Sequence, residues 1–360
     1  MARKIAGIPR ISIIVPVFKT PVFLLERFLE SALGQSLAEI EIVAVDDASP
    51  DDCPKILDAA AAKDQRMMVI HRTENGRAGT ARNNGLEHAI GKYVLFADAD
   101  DILQPDMCEK LYKLAIKQDA DIVSCSFTLR NETGNIVGRR KLPNYRIDLS
   151  IPRQRSKAYK LLNYSLWNKI FRKDVIAPIR FEQFETNIGE DTLYNITALC
   201  FSRILITTSY CGYKYTIHQK SVTGRLNKGM PYLRTLQTSN ERIRNIIVTY
   251  DKTEIGINYF QRFVIKRFVT GCRWINEYPD KKVKKVLFKY WRSYLRDTLS
   301  AQLGNKIFLK YGCYFLTTAY NTKLFKFLSH FLYYLADPHN LVMNVGARTG
   351  LLHQHKILSY

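Results

Sequence analysis

Between residues 11 and 126 the chain alternates short apolar runs with longer segments of helical spacing. Ile11 to Val17 is a largely β-branched run, the pattern of a strand buried on both faces. Val22 to Leu33 carries Phe23, Phe28, Leu29 and Leu33 at positions suited to one helical face. Ile40 to Val45 reads as a second strand, and Pro54 to Ala62 as a helix opened by Asp52 or Cys53. Met67 to Ile70 is a third strand. Thr80 to Ile90 follows as a helix, with Gly91 expected at its C-cap. Tyr93 to Ala97 is a fourth strand, Pro105 to Gln118 a fourth helix, and Ile122 to Cys125 a fifth strand. This strand–helix order predicts an α/β fold, a mostly parallel sheet flanked by helices.

Beyond residue 126 the pattern changes twice. Residues 127–156 are irregular and polar, with Arg139, Arg140, Lys141, Arg153 and Arg155, and read as a loop or hairpin excursion near a substrate. Residues 157–225 return to mixed structure, with a helix at Asp191–Phe201 and a strand at Tyr210–Ile217. After about residue 230 the chain is rich in Lys, Arg, Tyr and Phe and helical in pattern. The expected division is therefore a domain over 1–230, with halves at about 10–126 and 127–230, and a helical basic region over 231–360.

Charge sharpens this outline. With 54 Lys and Arg against 33 Asp and Glu, the 360-residue chain carries +21, a field suited to a polyanionic partner. Seven scattered cysteines, none in C-x-x-C spacing, argue against a disulfide framework or structural zinc and for a reducing compartment. No signal peptide is legible at Met1–Lys4, and no apolar window reaches the length of a membrane span. The nearest approach, Leu324 to Leu335, contains Lys326 and His330.

Four polar segments follow the expected strands, and parallel sheets bind ligands beyond the carboxyl ends of their strands. Pro16, Val17 and Phe18 follow the first; Asp46, Asp47, Ala48 and Ser49 the second; Asn75 through Asn83 the third. Asp98-Ala99-Asp100-Asp101 follows the fourth. Taken alone, that acidic run is either a turn or a cation site, where hard carboxylate oxygens hold Mg²⁺ or Mn²⁺ against phosphates. The convergence of four such loops on one edge favours the cation site, with Asp98 and Asp100 as its ligands.

The other loops suit a nucleoside diphosphate. Asp46 and Asp47 offer acceptors to a base imide or ribose hydroxyl, and Phe18 a surface for the base. Gly76 and Gly79 allow close backbone approach, and Arg82 supplies charge for a phosphate. Asp51 and Asp52 are expected to cap the second helix. Neither G-x-G-x-x-G after strand one nor a P-loop is present.

These residues together resemble glycosyltransferase family 2, the inverting enzymes with the GT-A fold. The resemblance runs through Ile13-Ile14-Val15-Pro16-Val17-Phe18, Val45-Asp46-Asp47-Ala48-Ser49, Asn75-Gly76 with Ala81-Arg82-Asn83-Asn84-Gly85, and the acidic run. It continues in Trp167-Asn168-Lys169 and Gly189-Glu190-Asp191, covering about residues 10–225. It implies a nucleotide-sugar donor, usually a UDP-sugar, with Mg²⁺ or Mn²⁺ at the D-x-D pair Asp98 and Asp100. It also implies a uracil reader at Asp47 and a general base at Asp191, with Glu190 alongside to raise the base by repulsion. Trp167 and Lys169 are candidates for an acceptor platform, and Trp167 equally for core packing. Lys214, Lys220 or Arg225 is a candidate to close over the phosphates. Two positions depart from the family: Ala48 stands where glycine is common, and Lys19 where asparagine is usual.

The expected activity is inverting transfer of a sugar to a hydroxyl of a glycan or lipid-linked acceptor in surface-polysaccharide synthesis. A nucleotidyltransferase and a non-catalytic module binding a polyanion or membrane are the alternatives. In the tail, cations such as Lys281, Lys282, Lys284, Lys285 and Arg292 interleave with Tyr290, Trp291, Phe325, Phe327 and Tyr334. An anionic membrane surface fits that mixture, with nucleic acid and a plain solvated bundle as competitors. A cytoplasmic protein, peripheral on the inner face of the membrane, is the matching expectation.

Overall fold

A computed structural model describes residues 7–161, 165–186, 188–217, 229–276, 278–299 and 329. The expected positions Lys220, Arg225, Cys313, Phe325, Phe327 and Tyr334, and the stretch Leu324–Leu335 apart from Ser329, lie outside them. The order is β1 (Ile11–Val17), α1 (Val22–Leu33), β2 (Ile40–Asp46), α2 (Cys53–Lys63), β3 (Met67–His71), α3 (Arg77–His88) and β4 (Tyr93–Phe96). Then come β5 (Ile102–Leu103), α4 (Met107–Lys117), β6 (Ile122–Asn131), β7 (Ile136–Arg140), β8 (Tyr145–Asp148) and α5 (Pro152–Leu161). The unit closes with β9 (Lys169–Arg172), α6 (Lys173–Ile176), α7 (Glu190–Phe201) and β10 (Ile204–Ile217).

The strands form one sheet in the order β3-β2-β1-β4-β9-β6-β10-β5, with β7 beside β6 and β8 beside β10. Pairing is parallel from β3 through β4, as the alternating sequence predicts. Every residue of β2 is buried, and all of β1 but Pro16. β9 departs from the expectation: it enters between β4 and β6, antiparallel to both. Its short run, Lys-Ile-Phe-Arg, carries no periodic signal of its own. The polar stretch after residue 126 is a β6–β7 hairpin followed by β8 and α5.

Two local expectations are corrected. α3 spans Arg77–His88 and ends at Ala89 in an extended conformation, so Gly91 caps nothing. Gly91 instead permits a close crossing, since a Cβ there would lie 2.6 Å from the Ser12 backbone nitrogen. The buried Glu41 secures that crossing, accepting from Ser12 Oγ (2.6 Å), Ile90 N (2.6 Å) and Gly91 N (3.2 Å). At α2, Asp51 rather than Asp52 serves the helix start, accepting from Cys53 N at 3.2 Å.

Lys19 (φ 50°) and Ala48 (φ 59°) both adopt left-handed backbone conformations. These are the two positions where asparagine and glycine are the family's habit, and those residues enter this region most readily. A left-handed alanine costs about 1–2 kcal/mol, part of which glycine's greater unfolded-state freedom cancels. Ala48→Gly is therefore expected to stabilise by up to about 1 kcal/mol, raising Tm by about 1–3 °C in a calorimetric comparison. A lower Tm would contradict the assignment of strain to Ala48.

A second compact unit gathers residues 184–189 with the helices after Gly229: α8 (Met230–Ile246), α9 (Glu254–Asn276) and α10 (Lys281–Tyr294). A π-helical turn, Ile247–Asp251, extends α8. Its core centres on Trp291, stacked on Phe268 at 5.3 Å and donating Nε1–H to the Phe268 carbonyl. Asp280 caps α10 by accepting from Lys282 N (2.7 Å) and Val283 N (3.0 Å). The outer face of α10 exposes Lys281, Lys282, Lys285 and Lys289 with Val283 and Val286. Among the described residues no helix is long and apolar enough to cross a membrane. Among the described residues Cys53, Cys108, Cys125 and Cys211 are free thiols.

Candidate active site

The acidic turn beyond β4 and the first turn of α7 meet around one side chain, Arg82. It sits on α3 with a side chain only 5% exposed. Its Nη2 donates to Asp98 Oδ1 at 2.9 Å, and its Nη1 to Asp191 Oδ1 at 2.9 Å and Glu190 Oε1 at 3.5 Å. Burial alone would lower the guanidinium's pKa. The Asp191, Asp98 and Glu190 carboxylates outweigh burial and hold it above its usual range. Arg82, expected as a phosphate-binding cation, is here engaged by three acids. It joins the acidic run after β4 to the acidic start of α7.

Aromatic packing places α7 to meet it. Tyr194 stacks on Phe181 at 4.1 Å and meets Phe96 of β4 edge-on at 5.4 Å. Asn83 holds Phe181 through both backbone groups, accepting from its N–H (2.8 Å) and donating to its carbonyl (2.9 Å). Gly79 lets α3 fit beneath, because a Cβ there would lie 3.2 Å from both Phe181 and Glu190. Gly189 takes φ +87° just before α7, a conformation favouring glycine, and Asn195 Nδ2 holds the Asp191 carbonyl at 2.9 Å.

The crowding of acids is visible in their ionisation. Burial first, then the nearby Asp100 and Asp191 charges, push the Asp98 carboxyl up to about 6 against the opposing pull of Arg82. Burial and the Asp191 charge push Glu190 up to about 7, so the expected repulsion between these neighbours falls on Glu190. Asp101 is fully buried and accepts from Thr216 N at 2.7 Å, tying the acidic turn to β10. Tyr213 adds a second tie, its hydroxyl accepting from Asp98 N at 3.2 Å. Asp101 is thus the structural acid of the run, while the Asp98 side chain keeps 30% of its surface exposed.

Two carboxylates with hard oxygens at Asp98 and Asp100, crowded by Asp191 and Glu190 and offset chiefly by one arginine, fit a divalent cation. Among the described residues no three such side chains close on one point to hold a metal by themselves. A Mg²⁺-type ion is commonly held by one or two carboxylates with substrate phosphates completing its shell.

At the β2 end, Asp47 is 1% exposed. Its Oδ1 accepts from Gly76 N at 2.9 Å and pairs with Arg72 Nε at 2.8 Å. Its Oδ2 is buried without a hydrogen-bond partner, an acceptor that a ligand donor would satisfy. Asn75 supports this loop from behind, donating Nδ2–H to the Asp47 carbonyl at 3.1 Å. Pro16 is partly exposed on β1, and Phe18 beyond it is 43% exposed, with Lys19 Nζ 5.3 Å from its ring centre. Asp46 is otherwise engaged: its Oδ1 accepts from Ser49 N (3.1 Å) and its Oδ2 faces His71 Nδ1 (3.2 Å). It shapes the turn. Arg72 and His71, adjacent and outside any motif, are the partners that sequence reasoning missed.

His71 also faces Asp58 through Nε2 at 3.0 Å, and Asp58 first, then Asp46, raise its pKa against burial. A raised folded-state pKa gives stability that is complete below about pH 6.5 and is lost as pH rises through the folded value. The ring is 42% exposed, so the contribution is screened to about 0.5–1 kcal/mol. His71→Gln should remove this component from urea midpoints compared between pH 5 and 9; an unchanged pH slope would refute it.

Trp167 and Lys169 do not form an open acceptor platform. Trp167 is 7% exposed, stacked on Tyr213 at 4.5 Å and Tyr215 at 5.3 Å. Lys169 is 2% exposed, donates to Ser165 O (2.5 Å) and Asn168 Oδ1 (2.8 Å), and is lowered to about 7, chiefly by burial. Both support the site from beneath. Lys214 follows Tyr213 on β10, so its side chain leaves the opposite face of the sheet, away from Asp98.

Residues 12–180 match the sequence family described as "Glycosyl transferase family 2". EpsH of Bacillus subtilis (strain 168) is 32% identical over 228 residues, covering 61% of this chain and 64% of that protein. The glycosyltransferase GlyG of Streptococcus pneumoniae serotype 4 is 40% identical over 113 residues, covering 31% and 37%. The chain thus spans less than two thirds of the length of these relatives. In fold, S. aureus TarS 1-349, solved in complex with UDP-GlcNAc, superposes with a TM-score of 0.65 at 17% identity, covering 89% of this chain and 90% of TarS 1-349. Sequence and architecture agree: residues 12–180 match glycosyltransferase family 2, and the fold is of the GT-A type seen in TarS.

Proposed function

We propose that this chain transfers a sugar, with inversion, from a nucleoside diphosphate sugar to a hydroxyl of a glycan or lipid-linked acceptor. The observation that carries the reading is Arg82 holding Asp98 and Asp191 at 2.9 Å each, one acid for the donor side and one for the acceptor side. The Asp191 carboxylate takes the acceptor's hydroxyl proton as that oxygen attacks the anomeric carbon opposite the nucleotide. The bond from that carbon to the diphosphate oxygen breaks, its electron pair leaving with the nucleotide, and the configuration inverts. When bound, Mg²⁺ or Mn²⁺ at Asp98 and Asp100 supplies positive charge against the leaving diphosphate.

UDP is the proposed nucleotide. The unpartnered Asp47 Oδ2 suits the N–H of a uracil imide, Phe18 offers the base a ring face, and TarS is a UDP-GlcNAc complex. The proposed place of work is the inner face of a membrane, where the exposed lysines of α10 favour anionic headgroups. Thermal-shift titration with UDP, GDP and their sugars tests the donor assignment. UDP ligands with Mn²⁺ should raise Tm, and Asp47→Ala should abolish the shift. Stabilisation by GDP ligands alone would contradict the uracil assignment.

A further inference from the structure

The face of β10 that carries Lys214 holds a second cluster of chemistry. In the sheet, Lys214 pairs with Thr128 and Thr128 with Arg139, so these three side chains share one cross-strand row. Thr216 pairs with Arg130 two residues along, on the same face. From α1, Arg27 reaches this face and donates Nη2–H to Thr216 Oγ1 at 3.3 Å. Arg27, Arg130, Arg139 and Lys214 thus surround two threonine hydroxyls. Among the described residues none of the four is ion-paired with an acid, whereas Arg66, Arg72, Arg82 and Arg172 each are. The Nε atoms of Arg27 and Arg130 are buried and lack hydrogen-bond partners. The Lys214 ammonium is held below its usual range by burial and then by Arg130, so the cations feel one another.

Such a grouping is unfavourable by itself. Like charges on neighbouring strands repel, and a buried guanidinium N–H without an acceptor forfeits the hydrogen bond it would make in water. A bound oxyanion relieves both costs, because guanidinium forks match phosphate oxygens and the hydroxyls complete the ring of donors. Tyr213 and Trp167 line the opposite face, toward Asp98, so the cluster is separate from the candidate active site.

We propose that Arg27, Arg130, Arg139 and Lys214, with Thr128 and Thr216, form a binding site for a phosphate monoester or diester, distinct from the nucleotide-sugar site. The phosphate belongs either to a soluble phosphorylated glycan fragment or to a lipid headgroup.

The test uses the full chain, with glycerol 3-phosphate titrated by calorimetry and flotation on phosphatidylglycerol against phosphatidylcholine vesicles. Wild type is compared with Arg130→Gln/Lys214→Gln and with Arg139→Gln alone, whose exposed position on the β7 edge makes a folding failure avoidable. The double variant should weaken phosphate binding at least tenfold and Arg139→Gln several-fold, while the UDP–Mn²⁺ thermal shift stays unchanged. Loss confined to glycerol 3-phosphate identifies a soluble source, and loss confined to phosphatidylglycerol vesicles a headgroup. Equal binding by wild type and all variants, or no binding to either probe, overturns the site whatever the outcome at the nucleotide-sugar site.

Discussion

Arg82→Met is expected to unfold at markedly lower urea, with a loss of about 3 kcal/mol, the lower end of the range for breaking a buried ion pair. The lower end applies because Asp98 and Asp191 keep about a third of their side-chain surface exposed, at 30% and 33%. Removing the guanidinium leaves three neighbouring carboxylates with no shared counter-charge. Sugar transfer should fall by about a hundredfold or more, since Asp98 and Asp191 lose the link that fixes their spacing. Arg82→Lys keeps the charge but loses the planar fork, so it should recover part of the stability and little of the activity. The sequence alone suggests a different result: an arginine serving only a phosphate would, on removal, weaken donor binding and spare stability. Urea midpoints of the three proteins separate the two accounts.

Asp191→Asn should lower transfer by about 10²- to 10⁴-fold, the usual contribution of a positioned general base. The asparagine carbonyl oxygen still accepts from Arg82 Nη1, so the local geometry and the UDP–Mn²⁺ thermal shift should persist. The loss should therefore appear in kcat, with KM for the donor little changed. Transfer within tenfold of wild type would remove Asp191 from the base role and turn attention to Glu190, whose Oε1 lies 3.5 Å from the same guanidinium.

What was legible in the sequence, and what was not, follows from the range of the interactions. The parallel half of the sheet was readable because Ile11–Val17 and Ile40–Asp46 are short apolar runs separated by a helical period, and both are local signals. β9 was not, because Lys169–Arg172 becomes a strand only through pairing with β4 and β6, distant in sequence. The loops bearing Asp47, Asp98 and Asp191 could be named from motifs, since those motifs sit at strand and helix ends. The role of Arg82 could not. An arginine at a helix start looks like a ligand cation until Glu190 and Asp191, more than a hundred residues later, are seen to occupy it. Trp167 was open between platform and core, and only its stack on Tyr213 and Tyr215 decides it. Ala48 and Lys19 were noticed as departures, but their left-handed backbone is a property of the folded turn.

The acids gathered by Arg82 are proposed to perform sugar transfer. The most direct measurement is nucleotide release from a panel of UDP- and GDP-sugars with Mn²⁺, with candidate glycan acceptors, alongside Asp191→Asn. UDP release should depend on the acceptor, collapse in Asp191→Asn, and yield a product of inverted anomeric configuration. Pyrophosphate release in place of UDP, or no turnover with any donor and acceptor that thermal shift shows to bind, would contradict that role.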